Sequence, residues 1–315
     1  MRMMQKIAVS CVVVGIFAIL AWNHLSFGGG AAPKMQTNNG AKSAPPPFSA
    51  GVGENLADHE EVSTRQVEAP AGKVVNSLAK NFHESRNLRK VYLDAMQNFD
   101  KGGGLYALNI VMRCAATKRD QARLDWVAQS REQEAAKILR EERCSSFIES
   151  EISPEHIRAI RQAASQGGDP YIKLIDSTAG KALGNQERAQ IVRKIFDSRD
   201  PLLLEQFSAA LFYENGDGIW LNGKSYKQEG AHQIFTTAWL AASCNIMEGN
   251  CGGSFDAYAV EGCALTNKCF ANRQEFFEND VEERFGRAGV GLYKEIFPII
   301  SNAVTNADSS VFEKK

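Results

Sequence analysis

The sequence lacks the excess of positive charge that nucleic-acid binding requires. Its 315 residues carry 36 basic and 37 acidic side chains, a formal net charge of −1, and no long run of one sign. Phosphate binding needs a basic surface, so this balance argues against nucleic acid as a main partner. The hydrophobic fraction of 44% is nevertheless that of a chain that folds.

Closely spaced metal ligands are also missing. The seven cysteines and five histidines include no Cys-x-x-Cys and no His-x-x-x-His pair, and structural zinc sites usually contain such pairs. An EF-hand loop centred on Gly218 would place Tyr213 and Lys224 where acidic calcium ligands belong. We therefore expect no metal ion and no cofactor.

The amino-terminal segment predicts export. Arg2 and Lys6 precede an apolar run over residues 7–22, which continues with two polar interruptions to Phe27. A basic flank before such a run is typical of an export signal, and counting to Phe27 gives a length that can cross a membrane. Two alternatives stay open: an uncleaved anchor in the inner membrane through residues 7–27, or a cleaved signal peptide that releases the protein into the periplasm.

Composition divides the rest of the chain. Five of the nine prolines fall in residues 28–72, together with many small and polar residues, a composition that cannot bury enough apolar surface to order itself. Apolar residues at helical spacing begin near Lys73. The predicted organisation is a signal anchor or signal peptide over 1–27, a disordered linker over 28–72 and a helical domain over 73–315.

The domain is predicted to be all-α. Three helix starts place a capping residue before a proline, at Ser153-Pro154, Asp169-Pro170 and Asp200-Pro201. Alternation of β-branched residues is nearly absent, so no sheet is expected. A long helix is expected over 121–144 with Leu124, Val127, Ile138 and Leu139 facing inward. Pro298 is expected to kink the last helix.

Six cysteines follow the apolar run, an even number that predicts disulfides in an exported domain. They are Cys114, Cys144, Cys244, Cys251, Cys263 and Cys269. Short reach favours Cys244–Cys251 and Cys263–Cys269, which leaves Cys114–Cys144 by elimination. That last bridge requires either a break in the helix over 121–144 or docking against a different helix, because a continuous helix would carry Cys144 far from its start.

Two features indicate stacked helical hairpins or a short solenoid. The helix starts at Asp169 and Asp200 are 31 residues apart, close to the period of about 34 residues in hairpin repeats. Residues 209–250 also resemble the tetratricopeptide-like Sel-one-like repeats. The matching residues are Ala210, Leu211, Tyr213, Gly216, Gly218, the run Ala238-Trp239-Leu240-Ala241-Ala242, Gly249 and Asn250. The resemblance implies a tyrosine–glycine turn, a second helix packed through its alanine–tryptophan face, and binding of a protein partner. The stretch from Gly218 to Trp239 is longer than the turn of that family.

One motif imitates a nucleotide site. The run from Gly218 to Ser225 fits the P-loop pattern letter by letter. A P-loop leads from a buried strand into a helix, whereas residues 202–213 have helical spacing, and bulky Trp220 stands where the backbone must approach phosphate. We expect a solvated loop between helices and no nucleotide.

No constellation of residues specifies a chemistry. Glu149-Ser150 resembles the Glu-Ser pair of lytic transglycosylases, but the glycine-rich motif that should follow is missing. The acidic pairs beginning at Glu132, Glu141 and Glu282 are interpreted as solvated ion-pair surface. The sequence therefore favours a non-enzymatic, exported scaffold that binds a protein or a cell-envelope component. The alternative is a cell-envelope hydrolase that uses the lone carboxylate of Glu149.

Overall fold

The computed structural model describes residues 77–123, 127–178, 184–207, 218–246 and 256–313. The predicted membrane segment over 1–27 and linker over 28–72 lie outside these residues. The described part is mostly helical, as predicted, and contains eleven α-helices: α1 Ser77–Glu84, α2 Leu88–Met96, α3 Gly103–Arg123, α4 Arg131–Cys144, α5 Pro154–Gln166, α6 Pro170–Thr178, α7 Asn185–Ser198, α8 Pro201–Gln206, α9 Ala231–Ala242, α10 Ala257–Thr266 and α11 Arg273–Asn306. None of them combines the length and apolarity that a membrane crossing needs.

The three predicted proline starts are helix starts. The side chain of Ser153 accepts a hydrogen bond from the His156 backbone N–H and begins α5. Asp169 and Asp200 cap α6 and α8 in the same way, each through its Oδ1. A capping side chain followed by proline supplies an acceptor and removes a donor at the first turn, where backbone donors have no partners.

The two capping aspartates also meet at α3. The second carboxylate oxygen of Asp169 accepts the Gly104 backbone N–H at 2.7 Å, and that of Asp200 accepts the Tyr106 hydroxyl at 2.8 Å. A Cβ on Gly104 would lie 2.3 Å from the Cβ of Ala164, so this close approach of α5 and α3 needs glycine. The first turn of α3 is therefore the point on which α5, α6 and α8 converge.

Residues 218–226 correct two predictions. Ile219–Leu221 and Lys224–Tyr226 form an antiparallel β-hairpin, β1 and β2. Asn222 and Gly223 make its turn with φ of 51° and 77°, the left-handed pair that favours Asn-Gly in two-residue hairpins. The inward side chains of this hairpin are buried. The expectation of no sheet was wrong here, and so was the expectation of a solvated loop.

The long helix expected over 121–144 is two helices. Helix α3 ends at Arg123, and α4 begins at Arg131 behind the cap Ser130, which accepts the Gln133 N–H at 3.1 Å. Two of the predicted inward positions were wrong, since Val127 is 89% exposed and Ile138 is 57% exposed. Leu139 is partly buried and packs against the core between α4 and α10, as predicted, and Leu124 lies outside the described residues. The reason is that the buried face of α4 is set by its docking on α3 and α10, which the helical period alone does not reveal.

The last helix bends at a different place from the one predicted. Within α11 the residue with non-helical angles is Gly286, at φ 65° and ψ −163°, while Pro298 lies in helical conformation. A positive φ is accessible to glycine without strain. Helix α11 packs chiefly against α9. Within α9, the Trp239 ring stacks on the Phe235 ring. The indole N–H of Trp239 donates to the Leu204 carbonyl of α8 at 2.7 Å.

Candidate functional site

An apolar groove runs between α4 and α10. Its volume is about 470 Å³, and a small second core beneath it joins α4 to α10. Gln133 fixes the two helices by donating to the Ala264 carbonyl at 3.2 Å. The lining is mostly aliphatic and aromatic and includes Ala135, Ile138, Leu139, Val260, Cys263 and Phe270. A mostly apolar concavity of this kind is a candidate binding site.

Charged residues stand around this groove. Arg86 pairs with Glu142 at 2.9 Å, and both line it. Glu132 also lines the groove, and no partner for its carboxylate occurs in the described part of the chain. The interpretation as ion-pair surface therefore fits Glu142, while Glu132 presents an unpaired negative charge beside apolar surface.

Two disulfides lie near the groove, one joining α3 to α4 and one at the end of α10. Cys114 and Cys144 join α3 to α4 across 30 residues, and Cys263 is bonded to Cys269 in the wall of the groove. These are two of the three predicted bridges, and the break between α3 and α4 is the one that the first requires. Cys244 is also disulfide-bonded, whereas Cys251, its predicted partner, lies outside the described residues.

A buried ionic network ties α8, α10 and α11 together. Arg273 is fully buried, and its guanidinium lies 2.5 Å from Oε1 of Glu205 and 2.6 Å from Oδ2 of Asp256. The Tyr258 ring lies 4.7 Å from the guanidinium carbon. Burial by itself raises the pKa of Asp256, but the charge and hydrogen bonds of Arg273 more than offset this and hold that pKa below its ordinary value. The guanidinium of Arg273 has two carboxylate partners, and the network holds three helices together.

A second buried cationic cluster surrounds Phe82 on α1. Arg143 donates to the backbone carbonyls of Phe82 and His83, and the Arg113 guanidinium lies 5.0 Å from the Phe82 ring centroid. Burial, with help from the nearby Arg273, lowers the pKa of His83 to about 3. Burial, together with the charge of Arg113, lowers the pKa of Arg143 to about 10. The imidazole is therefore neutral at ordinary pH, between charged guanidiniums.

Glu149 is separate from both regions. It begins a short 3-10 turn, Glu149–Ile152, and its side chain is exposed. Its neighbour Glu151 makes the contacts in this turn, accepting two hydrogen bonds from Arg89 and one from the Ile148 N–H. The structure therefore does not bring Glu149 to an apolar wall or to the groove.

The P-loop imitation does not form a phosphate cradle. Lys224 lies on β2 and pairs with Glu295 of α11, which also accepts the Tyr226 hydroxyl at 2.8 Å. The described residues contain no group of three or more histidine, cysteine, aspartate or glutamate side chains that could hold a metal ion.

Sequence patterns did not reveal Arg273, Glu205 and Asp256 as a set. Arg273 and Glu205 are separated by 68 positions in the sequence, so no local spacing connects them. One hint was available, because Asp256 stands directly before the apolar run of α10 and caps it by accepting the Tyr258 N–H. Ile138 was missed as a surface residue because its helical spacing suits a core position equally well.

No known family model, curated protein or solved structure matches the chain.

Proposed function

We propose that the domain is an exported, non-enzymatic helical scaffold that binds a protein partner in the groove between α4 and α10. The observation that carries this proposal is the groove itself, about 470 Å³ of mostly apolar surface with Ile138 at its rim. Burying such a side chain against a partner contributes about 1.5–3 kcal/mol. Ile138 supports the proposal because it adjoins other apolar residues of the groove, since contiguous apolar surface is what marks a binding site.

The charges of the groove define the chemistry of that partner. Glu132 is the unpaired carboxylate, while Glu142 is neutralised by Arg86. A matching segment therefore carries one or two apolar side chains with a lysine or arginine beside them. Such a cation adds specificity and attraction at the rim, and the apolar contact supplies most of the affinity.

Export is part of the same proposal. Support comes from the basic flank and apolar run at residues 2–27 and from the disulfides of the helical domain, since such bonds persist in oxidising compartments. We place the domain in the periplasm, either anchored in the inner membrane or released if the signal is cleaved. The linker over 28–72 gives an anchored domain its reach.

The scaffold is proposed to be built from helical hairpins. Helices α5 and α6, then α7 and α8, are two successive pairs whose second members start at aspartate–proline. The Sel-one-like resemblance is supported only in its second helix, where Trp239 and the alanines of α9 are buried. Tyr213 and Gly216, which should form the preceding helix and turn, lie outside the described residues.

The hydrolase using Glu149 remains the alternative hypothesis. A lone carboxylate works as a general acid where burial holds its proton, and the side chain of Glu149 is exposed. A stable Glu149→Gln protein that has lost its biological activity would favour this alternative over the scaffold.

Photo-crosslinking tests the groove in the full chain and in its own envelope. A photoreactive residue at position 138 is expected to give one discrete adduct, because this position faces the bound partner. The same residue at position 127, which is more exposed but outside the groove, is the matched control and should give none. Glu132→Lys should reduce the yield of the adduct by repelling the basic partner. Equal labelling at both positions, or labelling at 138 that is undiminished by Glu132→Lys, would contradict the proposal.

A further inference from the structure

Two arginines of the helical domain, buried Arg143 and partly buried Arg113, have no carboxylate partner among the described residues. Arg113 and Arg143 immediately precede Cys114 and Cys144, whose bond holds α3 and α4 with their Cα atoms 5.2 Å apart. The disulfide therefore fixes two like charges in one region, and the charge of Arg113 contributes to the lowered pKa of Arg143. In the described residues neither guanidinium forms an ion pair.

The carboxylates nearby are used elsewhere. Arg140 binds Asp120 at 2.5 Å and Glu261 at 3.3 Å. Arg273 likewise takes two carboxylates, those of Glu205 and Asp256. Two arginines thus share four carboxylates in direct contact, and the two arginines beside the disulfide have none. Their charges are balanced only at longer range.

Three buried nitrogen atoms of residues around Phe82 have no hydrogen-bond partner among the described residues. They are Nη1 of Arg113, Nε of Arg143 and Nε2 of His83. His83 is 7% exposed and Arg143 is 4% exposed, so bulk water solvates these two side chains little. The His83 ring centroid lies 5.1 Å from that of Phe82, the Arg113 guanidinium lies over the same ring, and Arg143 donates to the Phe82 carbonyl. All three residues therefore contact Phe82 at the junction of α1, α3 and α4.

We propose that this junction is a binding site for one small monovalent anion of the chloride type, held by Arg113, Arg143 and His83. An anion accepts hydrogen bonds from both guanidiniums and from His83 when its proton lies on Nε2. It also supplies the negative charge that a water molecule cannot, which matters where two cations are held together in a region of low dielectric. The site is independent of the groove, and its role is to lock three helices rather than to bind a partner.

Chloride-dependent stability tests this site in the full chain. At constant ionic strength, replacing gluconate by chloride should raise the melting temperature in a saturable way, because a ligand that binds only the folded state stabilises it. Bromide should do the same. The variants Arg113→Gln and Arg143→Gln should each flatten this response, whereas Arg158→Gln, an exposed arginine on α5, should keep it.

Bromide location decides the matter even if the variants fail to fold. Crystals of the wild-type protein grown with bromide should give an anomalous peak within hydrogen-bond distance of Arg143 Nε and His83 Nε2. A wild-type melting temperature that does not distinguish chloride from gluconate would overturn the proposal. So would density at this position that contains only water, or a bromide peak found elsewhere alone.

Discussion

Two buried arginine regions lie side by side in this domain and are treated in opposite ways. Arg273 is enclosed by Glu205, Asp256 and the Tyr258 ring. Arg143 is nearly as deeply buried but contacts only backbone carbonyls of α1. The first guanidinium has its countercharge inside the chain, while the second faces another arginine across a disulfide.

The difference shows that a buried arginine with carboxylate partners and a buried arginine without them affect stability in different ways. Where the chain supplies both partners, removal of the arginine strands two carboxylates in a medium that disfavours them. Where the arginine donates only to backbone carbonyls, as Arg143 does, its removal leaves one or two carbonyl oxygens without a donor. It also removes the repulsion between Arg143 and Arg113. Arg273 and Arg143 are therefore expected to contribute unequally to the free energy of unfolding, and substitution of each can measure the difference.

Substitution of the paired arginine is expected to have the largest effect. Arg273→Met should lower the free energy of unfolding by about 3–5 kcal/mol, because buried Glu205 and Asp256 lose their countercharge. Arg143→Met, the matched change in the other region, should cost only about 1–3 kcal/mol. Urea denaturation followed by circular dichroism measures both. Equal losses would remove the distinction between the two regions.

The disulfides come next in expected size. In the chain-entropy model, removal of Cys114–Cys144 by a double alanine change should cost about 3–4 kcal/mol for its 30-residue separation. The same change at Cys263–Cys269 should cost about 2 kcal/mol. The first bridge also holds Arg113 near Arg143. The free energy of unfolding lost when this bridge is removed should therefore be smaller than the chain-entropy model gives. Removal of Cys263–Cys269 shows how well the model holds for this protein. A loss above the entropic figure would show that the two charges do not repel.

Acid sensitivity should arise in the arginine-rich region. The pKa of His83 is lowered to about 3 in the folded protein, first by burial and then by Arg273, Arg113 and Arg143 against the opposing charge of Asp256. The unfolded chain takes up this proton below about pH 6.5. Protonation of the unfolded chain at His83 therefore does not reduce the free energy of unfolding above about pH 6.5. Below that pH the free energy of unfolding falls by up to about 1.4 kcal/mol per pH unit toward pH 3.

His83→Gln is the control for that prediction. It removes the titrating group and should reduce the slope of stability against pH between about 6.5 and 4. Denaturant midpoints measured at several pH values give both slopes. An unchanged slope in the variant would assign the acid sensitivity to carboxylates.

The smallest effect is expected at the exposed carboxylate. Glu149→Gln should change the free energy of unfolding by less than about 0.5 kcal/mol, because an exposed charge away from special features contributes little. Its biological activity should also persist. Melting temperature and complementation by the full chain test both statements.

Local chemistry predicted much of the architecture. The three proline starts were found because a cap and the residue after it are neighbours in sequence, and Cys114–Cys144 followed once the shorter bridges were assigned. The hairpin was missed although Asn222-Gly223 is a recognised turn pair, because its strands have only three residues each, too few for an alternating pattern to stand out. Helical spacing alone could not distinguish exposed Ile138 from a core position.

The charged core was beyond reach for a different reason. The partners of Arg273 come from α8 and from the cap of α10, and only packing decides which carboxylates meet which guanidinium. Nothing in the local pattern separates Arg143, buried at the end of a charged helix, from its exposed neighbours. The groove is likewise a product of tertiary docking, since α4 and α10 are distant in sequence.

The first turn of α3 has a consequence for the order of folding. Asp169 and Asp200 complete their hydrogen bonds on Gly104 and Tyr106, across 65 and 94 residues. Closing loops of that length is costly in entropy, and each capped helix gains its second anchor only when α3 is already in place. This turn is therefore expected to be formed in the transition state for folding. Tyr106→Phe should then slow refolding more than it speeds unfolding in stopped-flow measurements, and the reverse would place this turn among the late contacts.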